Sequence, residues 1–123
     1  MAHKPKLRPG PNHPITVTPY AGRIKVLVDG KVLAETTEAL TLQESTYPAV
    51  RYIPRQDVDL GQLERTEHST YCPFKGDASY YSIPALNDAG ENAVWTYETP
   101  YDAVADIKDH LAFYPDRVEL IED

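Results

Sequence analysis

Apolar residues recur at every second position along most of this chain, the period of a half-buried strand. The clearest instance is RIKVLV-DG-KVLAET, residues 23–36. Ile24, Val26 and Val28 fall on one face, and Asp29-Gly30 supplies the positive φ angles of a two-residue turn. Val32 and Ala34 then resume the alternation, which predicts a β-hairpin. ALTLQE (39–44) and AVRYI (49–53) predict two further strands, parted by a polar turn before Pro48. STYC (69–72) and ASYYSI (78–83) flank PFKG, where Pro73 presets a turn and Gly76 can close it in the left-handed conformation. That makes a second hairpin. NAVWTYE (92–98) predicts an aromatic strand and VELI (118–121) a last edge strand. RQDVDLGQLERT (55–66) is short and interrupted by glycine, so irregular turns are expected there.

One segment has helical spacing. Thr99 can cap it, Pro100 suits its first turn, and Asp102 complements the dipole. Tyr101, Val104, Ile107 and Leu111 then form one apolar stripe. Residues 1–14 hold four prolines and three basic residues with little to bury, so they read as a flexible, proline-rich arm. Residues 15–123 read as a single domain. The expected class is mainly β (α+β), antiparallel, with one short C-terminal helix.

Composition removes several function classes. A chain of 123 residues can bury a core without metal or disulfide help. A single cysteine, Cys72, cannot form an internal disulfide, and no leader-like or bilayer-spanning apolar run is present, which points to a cytoplasmic protein. The net charge is −7, and residues 98–123 carry eight acids against Lys108 and Arg117. Without a basic face, nucleic acid is not an expected partner. No membrane is expected either. Acidity of this kind mainly serves solubility.

Candidate chemistry gathers around residues 68–81, HSTYCPFKGDASYY. A phosphate loop would need its lysine after the second glycine, between a strand and a helix; here Lys75 precedes Gly76 and strands lie on both sides. Cys72 has His68 four residues before it and Lys75 three after, yet a cysteine within a strand is more often a small buried apolar group than a nucleophile. The histidines His3, His13, His68 and His110 are too scattered for a structural zinc site, and no metal or other cofactor is expected. Asp57-Val58-Asp59 can be a paired carboxylate for Mg²⁺ or, after Pro54 and before Gly61, a turn with a capping aspartate. Tyr52, Tyr80, Tyr81, Trp95 and Tyr97 make an aromatic set on neighbouring strands, interleaved with Glu44, Arg51, Arg55 and Lys75. Aromatic walls with a few charges suit a core or a pocket alike.

The run Arg23-Ile-Lys-Val, then Glu44, Tyr52-Ile-Pro-Arg-Gln-Asp-Val, Cys72-Pro-Phe-Lys-Gly-Asp-Ala-Ser-Tyr-Tyr, Asn92-Ala-Val-Trp-Thr-Tyr-Glu and Phe113-Tyr-Pro-Asp resembles the domain-of-unknown-function family 427. The resemblance extends from about His13 to the end. It implies a β-tent-like pair of antiparallel sheets leaning over a central, metal-free pocket. By the same resemblance, Glu44, Tyr52, Arg55, Cys72, Lys75, Tyr80, Trp95 and Tyr97 would line that pocket. The function expected is binding of a small molecule, anionic or carbonyl-bearing since Arg55 and Lys75 are cations, in a domain that an uncharacterised enzyme would also fit. The family also carries a nucleotidyltransferase label, which implies metal-dependent transfer through Asp57 and Asp59. The usual Gly-Ser start of that signature does not precede them. A third reading is an interaction module using Asp102, Asp106 and Asp109.

Overall fold

A computed structural model describes residues 4–123 and consists mainly of antiparallel β-structure. Ten strands run β1 (Ile15–Pro19), β2 (Ile24–Val28), β3 (Lys31–Thr36), β4 (Leu40–Glu44), β5 (Val50–Pro54), β6 (Glu64–Cys72), β7 (Gly76–Ser82), β8 (Val94–Thr96), β9 (His110–Phe113) and β10 (Glu119–Glu122). Seven of them form one sheet in the order β1-β4-β5-β9-β8-β7-β6; the others form a small sheet, β10-β2-β3. Among the described residues, no helix is long and apolar enough to cross a membrane.

The first hairpin forms as its turn demands. Asp29 and Gly30 take φ of 50° and 80°, and Val28 pairs with Lys31. Its second strand departs from simple alternation. The register slips between Val26 and Leu27, leaving Leu33 as the extra residue, so Leu33 and Ala34 are both buried and Val32 faces out. The PFKG hairpin also forms, closed by Gly76 at φ 107° with Cys72 opposite it. Its outer strand starts earlier than expected, at Glu64, and is bulged between Arg65 and Ser69.

The C-terminal helix is shorter than its spacing predicts. Residues Asp102–Ile107 form 3₁₀ turns broken at Val104, and Tyr101 rather than Thr99 precedes them. Val104 and Ile107 are buried as the stripe requires, but Leu111 belongs to β9, in the middle of the large sheet. Two features stop the helix. Asp109 adopts φ 57°, which turns the chain, and the Ile53–Leu111 and Thr96–Leu111 pairings then recruit the next residues as strand. Tertiary pairing outweighs local periodicity here.

Register sorts the large sheet into two faces. Leu42, Tyr52, Ala112, Tyr80 and Ala78 share one face and pack with Tyr97, Val104 and Ile107. Ile53, Leu111, Phe113, Val94 and Tyr81 share the other and pack on Ile24, Val26, Leu33 and Ala34 of the small sheet.

The large sheet is two smaller ones joined narrowly. β5 meets β9 only at Ile53↔Leu111 and Pro54↔His110. Beyond that junction Val50, Arg51 and Tyr52 stay paired with β4, while Ala112 and Phe113 stay paired with β8. The halves β1-β4-β5 and β9-β8-β7-β6 therefore part like a V.

Leu111 is fully buried at the junction, so Leu111→Ala should cost about 3 kcal/mol in urea denaturation through lost burial and a residual cavity. The exposed Asp106→Ala, on the 3₁₀ turns, should change stability by less than about 0.5 kcal/mol.

Candidate functional site

The opening of the V holds a cavity of about 550 Å³, within the usual range for ligand pockets. Leu42 and Val50 wall it on the β4–β5 side, Trp95 and Phe113 on the other, and Leu120 of β10 beneath. The loop Tyr47-Pro48-Ala49 and Pro115 form its rim. Because the cavity sits in a break through the sheet, its lining comes from both faces.

Two ion pairs stand on this apolar wall. Lys75, in the turn of the β6–β7 hairpin, donates to Glu44 Oε1 at 2.5 Å, with both side chains 13% exposed. His13 Nε2 lies 2.8 Å from Glu44 Oε2, and its ring stacks on Phe74 with centroids 4.1 Å apart. Burial pushes the Glu44 carboxyl up, but the Lys75 and His13 contacts outweigh it and hold the group below the usual carboxylate value. Glu44 is therefore a fixed anion at neutral pH. The second pair is Arg51 Nε on Glu122, which ties β5 to β10; Arg51 Nη1 also donates to Thr41 at 2.6 Å, and its guanidinium lies over the Tyr20 ring.

The basic arm packs beside this site, on the β6–β7 hairpin. Leu7 N–H donates to Pro73 O at 2.9 Å, the Tyr71 hydroxyl donates to Pro5 O at 2.6 Å, and Lys6 sits over the Tyr101 ring. These contacts lay residues 4–14 along the hairpin and deliver His13 to Glu44.

Of the positions expected to line a pocket, Glu44, Lys75 and Trp95 do line this cavity. Tyr52 lies behind it, 1% exposed, its hydroxyl accepting from Trp95 Nε1 at 3.2 Å; burial raises its pKa strongly. Tyr80 and Tyr97 belong to the core beneath, where Tyr80 shares a hydrogen bond with Thr70 and burial likewise raises Tyr97. Cys72 is half-buried at the end of β6 and outside the lining. Arg55 lies beyond the junction, where Nη1 donates to the Tyr81 hydroxyl at 3.0 Å and the side chain lines a separate polar hollow with Lys108 and His110.

Arg51, one of the charges interleaved with the aromatic strands, lines the cavity as well, whereas Tyr47, Phe113, Leu120, Glu122 and the arm's His13 carry no local signal of the site. His13 reaches Glu44 because β1 pairs with β4, and Arg51 meets Glu122 across 71 residues of sequence.

The paired aspartates serve turns. Asp57 Oδ2 accepts from Thr36 Oγ1 at 2.7 Å, and Asp59 Oδ1 caps the next 3₁₀ turn by accepting from Gly61 N–H at 3.1 Å. Among the described residues, no three His, Cys, Asp or Glu side chains gather as a metal-ligand group; His3 lies outside those residues. The acids Asp102, Asp106 and Asp109 are exposed.

A family model described as "Domain of unknown function (DUF427)" matches residues 16–123. A search of the curated proteins finds no match.

Replacing Glu44 by Gln should destabilise the protein by about 2 kcal/mol at pH 7, because it strips the charge that Lys75 and His13 contact. The sign with pH follows from the lowered pKa. Stability contributed by the Glu44 carboxylate is fully present above its unfolded value, 4.5, and is lost as pH falls through the lower folded value. Urea titrations of wild type and Glu44→Gln should therefore differ most at neutral pH and converge in acid. A constant difference down to pH 3 would contradict this.

Proposed function

The chain belongs to the DUF427 family, and on that premise we propose that it binds a small organic molecule in the cavity between β5 and β9. One observation supports this most: an apolar cavity of ligand size carries two oriented ion pairs on its wall. A purely structural gap of this size would be closed by larger side chains, since unfilled apolar space lowers stability.

The chemistry of the wall narrows the ligand. Trp95, Phe113, Leu42 and Val50 suit a flat or branched apolar body. Lys75 has three donor hydrogens and uses one on Glu44, so donors remain for a carbonyl or carboxylate oxygen. Glu44 holds that amine in place, so the pair acts as an anchor for the ligand. Arg51, held by Glu122 and Thr41, offers a second planar donor at the other end. We place the protein in the cytoplasm, where a single unpaired cysteine is stable.

The test is thermal denaturation with a panel of aromatic carboxylates and their amides, together with nucleoside triphosphates plus Mg²⁺. A ligand at 100 times its Kd should add about 2.7 kcal/mol, a rise of several degrees in Tm. Lys75→Met should reduce the rise by weakening affinity about tenfold, and Val50→Trp should abolish it by filling the cavity. No rise with any carboxylate or amide, or a rise that survives Val50→Trp, would overturn the proposal. A rise seen only with metal and triphosphate would favour nucleotidyl transfer instead.

A further inference from the structure

The V-shaped break leaves main-chain groups without strand partners, and their direction can be worked out. Arg55 N–H donates to Asp109 O at 3.1 Å, across the same junction that pairs Ile53 with Leu111. In an antiparallel ladder, peptide groups alternate sides residue by residue. Ile53 and Arg51 therefore point their N–H and C=O toward β9, and even-numbered residues of β5 point toward β4. On β9, Tyr114 N–H donates to Ala93 O at 3.1 Å, so Ala112 also faces β8 while Leu111 and Phe113 face β5. Leu111 meets Ile53. The next hydrogen-bonded pair in this register would be Arg51 with Phe113, and neither it nor Tyr52 with Ala112 pairs. Among the described residues, none of the turn and loop main-chain hydrogen bonds takes up these two residues' groups either. Both residues line the cavity.

We propose that this break receives a short, uncharged, extended peptide segment, which pairs through its main chain with Arg51 and Phe113 and so bridges the interrupted sheet. The proposal rests on the small-molecule reading above and names the ligand's chemistry. Three observations converge on a strand rather than a compact ligand. Unpaired main-chain donors and acceptors on two facing edges are matched by another main chain, as in strand addition. A strand lying in the plane of a sheet sends alternate side chains to opposite faces. The cavity lining likewise comes from both faces, with Val50 and Trp95 on one side and Phe113 and Leu120 on the other, all apolar. Finally, the charged residues of the wall are Glu44 with Lys75 and Arg51 with Glu122, each cation already matched by an acid. A ligand whose polarity lies in its peptide groups needs no extra charge there. The unpaired stretch of β5, Val50 to Tyr52, spans three residues, so about three residues of peptide fit it, at roughly 3.3 Å each.

The experiment uses the full chain, ¹⁵N-labelled, with two readouts. In the free protein, amide hydrogen exchange at Arg51 and Phe113 should run at least tenfold faster than at Ile53 and Leu111. Equal protection at all four would overturn the proposal without any ligand or variant. Acetyl-Val-Ala-Val-N-methylamide is then titrated, beside versions N-methylated at each residue in turn. The parent should shift the Arg51 and Phe113 amide resonances and slow their exchange, and at least one N-methylated version should bind tenfold more weakly. If all versions bind equally, or if the peptide fails while aromatic carboxylates bind in the cavity, the pairing is wrong and the small-molecule reading stands. If neither peptides nor aromatic carboxylates and amides bind, both readings fall.

Discussion

The architecture turns on how little of β5 touches β9. Only two strand pairs, Ile53↔Leu111 and Pro54↔His110, join the β1-β4-β5 half of the large sheet to the β9-β8-β7-β6 half. Strand pairing is usually longer than this, and a longer seam would close the cavity. Ile53 and Leu111 are both fully buried against the small sheet, so apolar packing rather than many hydrogen bonds holds the seam. The seam also explains why Leu111 is lost to the helix. Its side chain is buried either way, but only as strand does it complete the junction.

A V held at its apex would open or collapse without struts, and two ion pairs act as such. Lys75 reaches from the β6–β7 turn to Glu44 at the end of β4, so opposite halves of the large sheet are linked at a distance from the seam. Arg51 links the same β4–β5 half to the small sheet through Glu122. The nearly buried Lys75–Glu44 pair gains less than its Coulomb energy, because desolvation opposes it, but it fixes geometry well. A hydrophobic pair in the same places would fill the space that the cavity occupies. The arm adds to this by bringing His13 to the second oxygen of Glu44, so the carboxylate is satisfied from both sides.

These struts give the cavity its chemical character. Their charges cancel in pairs, their partners hold them still, and the walls between are apolar. The same contacts hold the Lys75 amine in place at the cavity wall. Asp57 and Asp59, by contrast, are engaged in the turns that lead from β5 toward β6.

What the sequence determined by itself is what depends on neighbours along the chain. Asp29-Gly30 and Pro73…Gly76 have backbone preferences that make their turns whatever surrounds them, and alternation located most strands. Pro54, Asp59 and Gly61 similarly marked the irregular turns after β5. Three members of the cavity wall, Glu44, Lys75 and Trp95, also came into view through the family resemblance. The tertiary structure decided the rest, because it depends on which edges meet. Helical spacing from Tyr101 to Leu111 yielded to strand pairing at its last position, and the bulge at Leu33 reversed the exposure expected of Val32. Tyr52, Tyr80 and Tyr97 have the same residue type and spacing as pocket aromatics, and only packing against Val104 and Ile107 made them core. The unpaired edges of Arg51 and Phe113 leave no trace in composition or pattern. They arise from a pairing that stops, and stopping is a property of two strands together, not of either one alone.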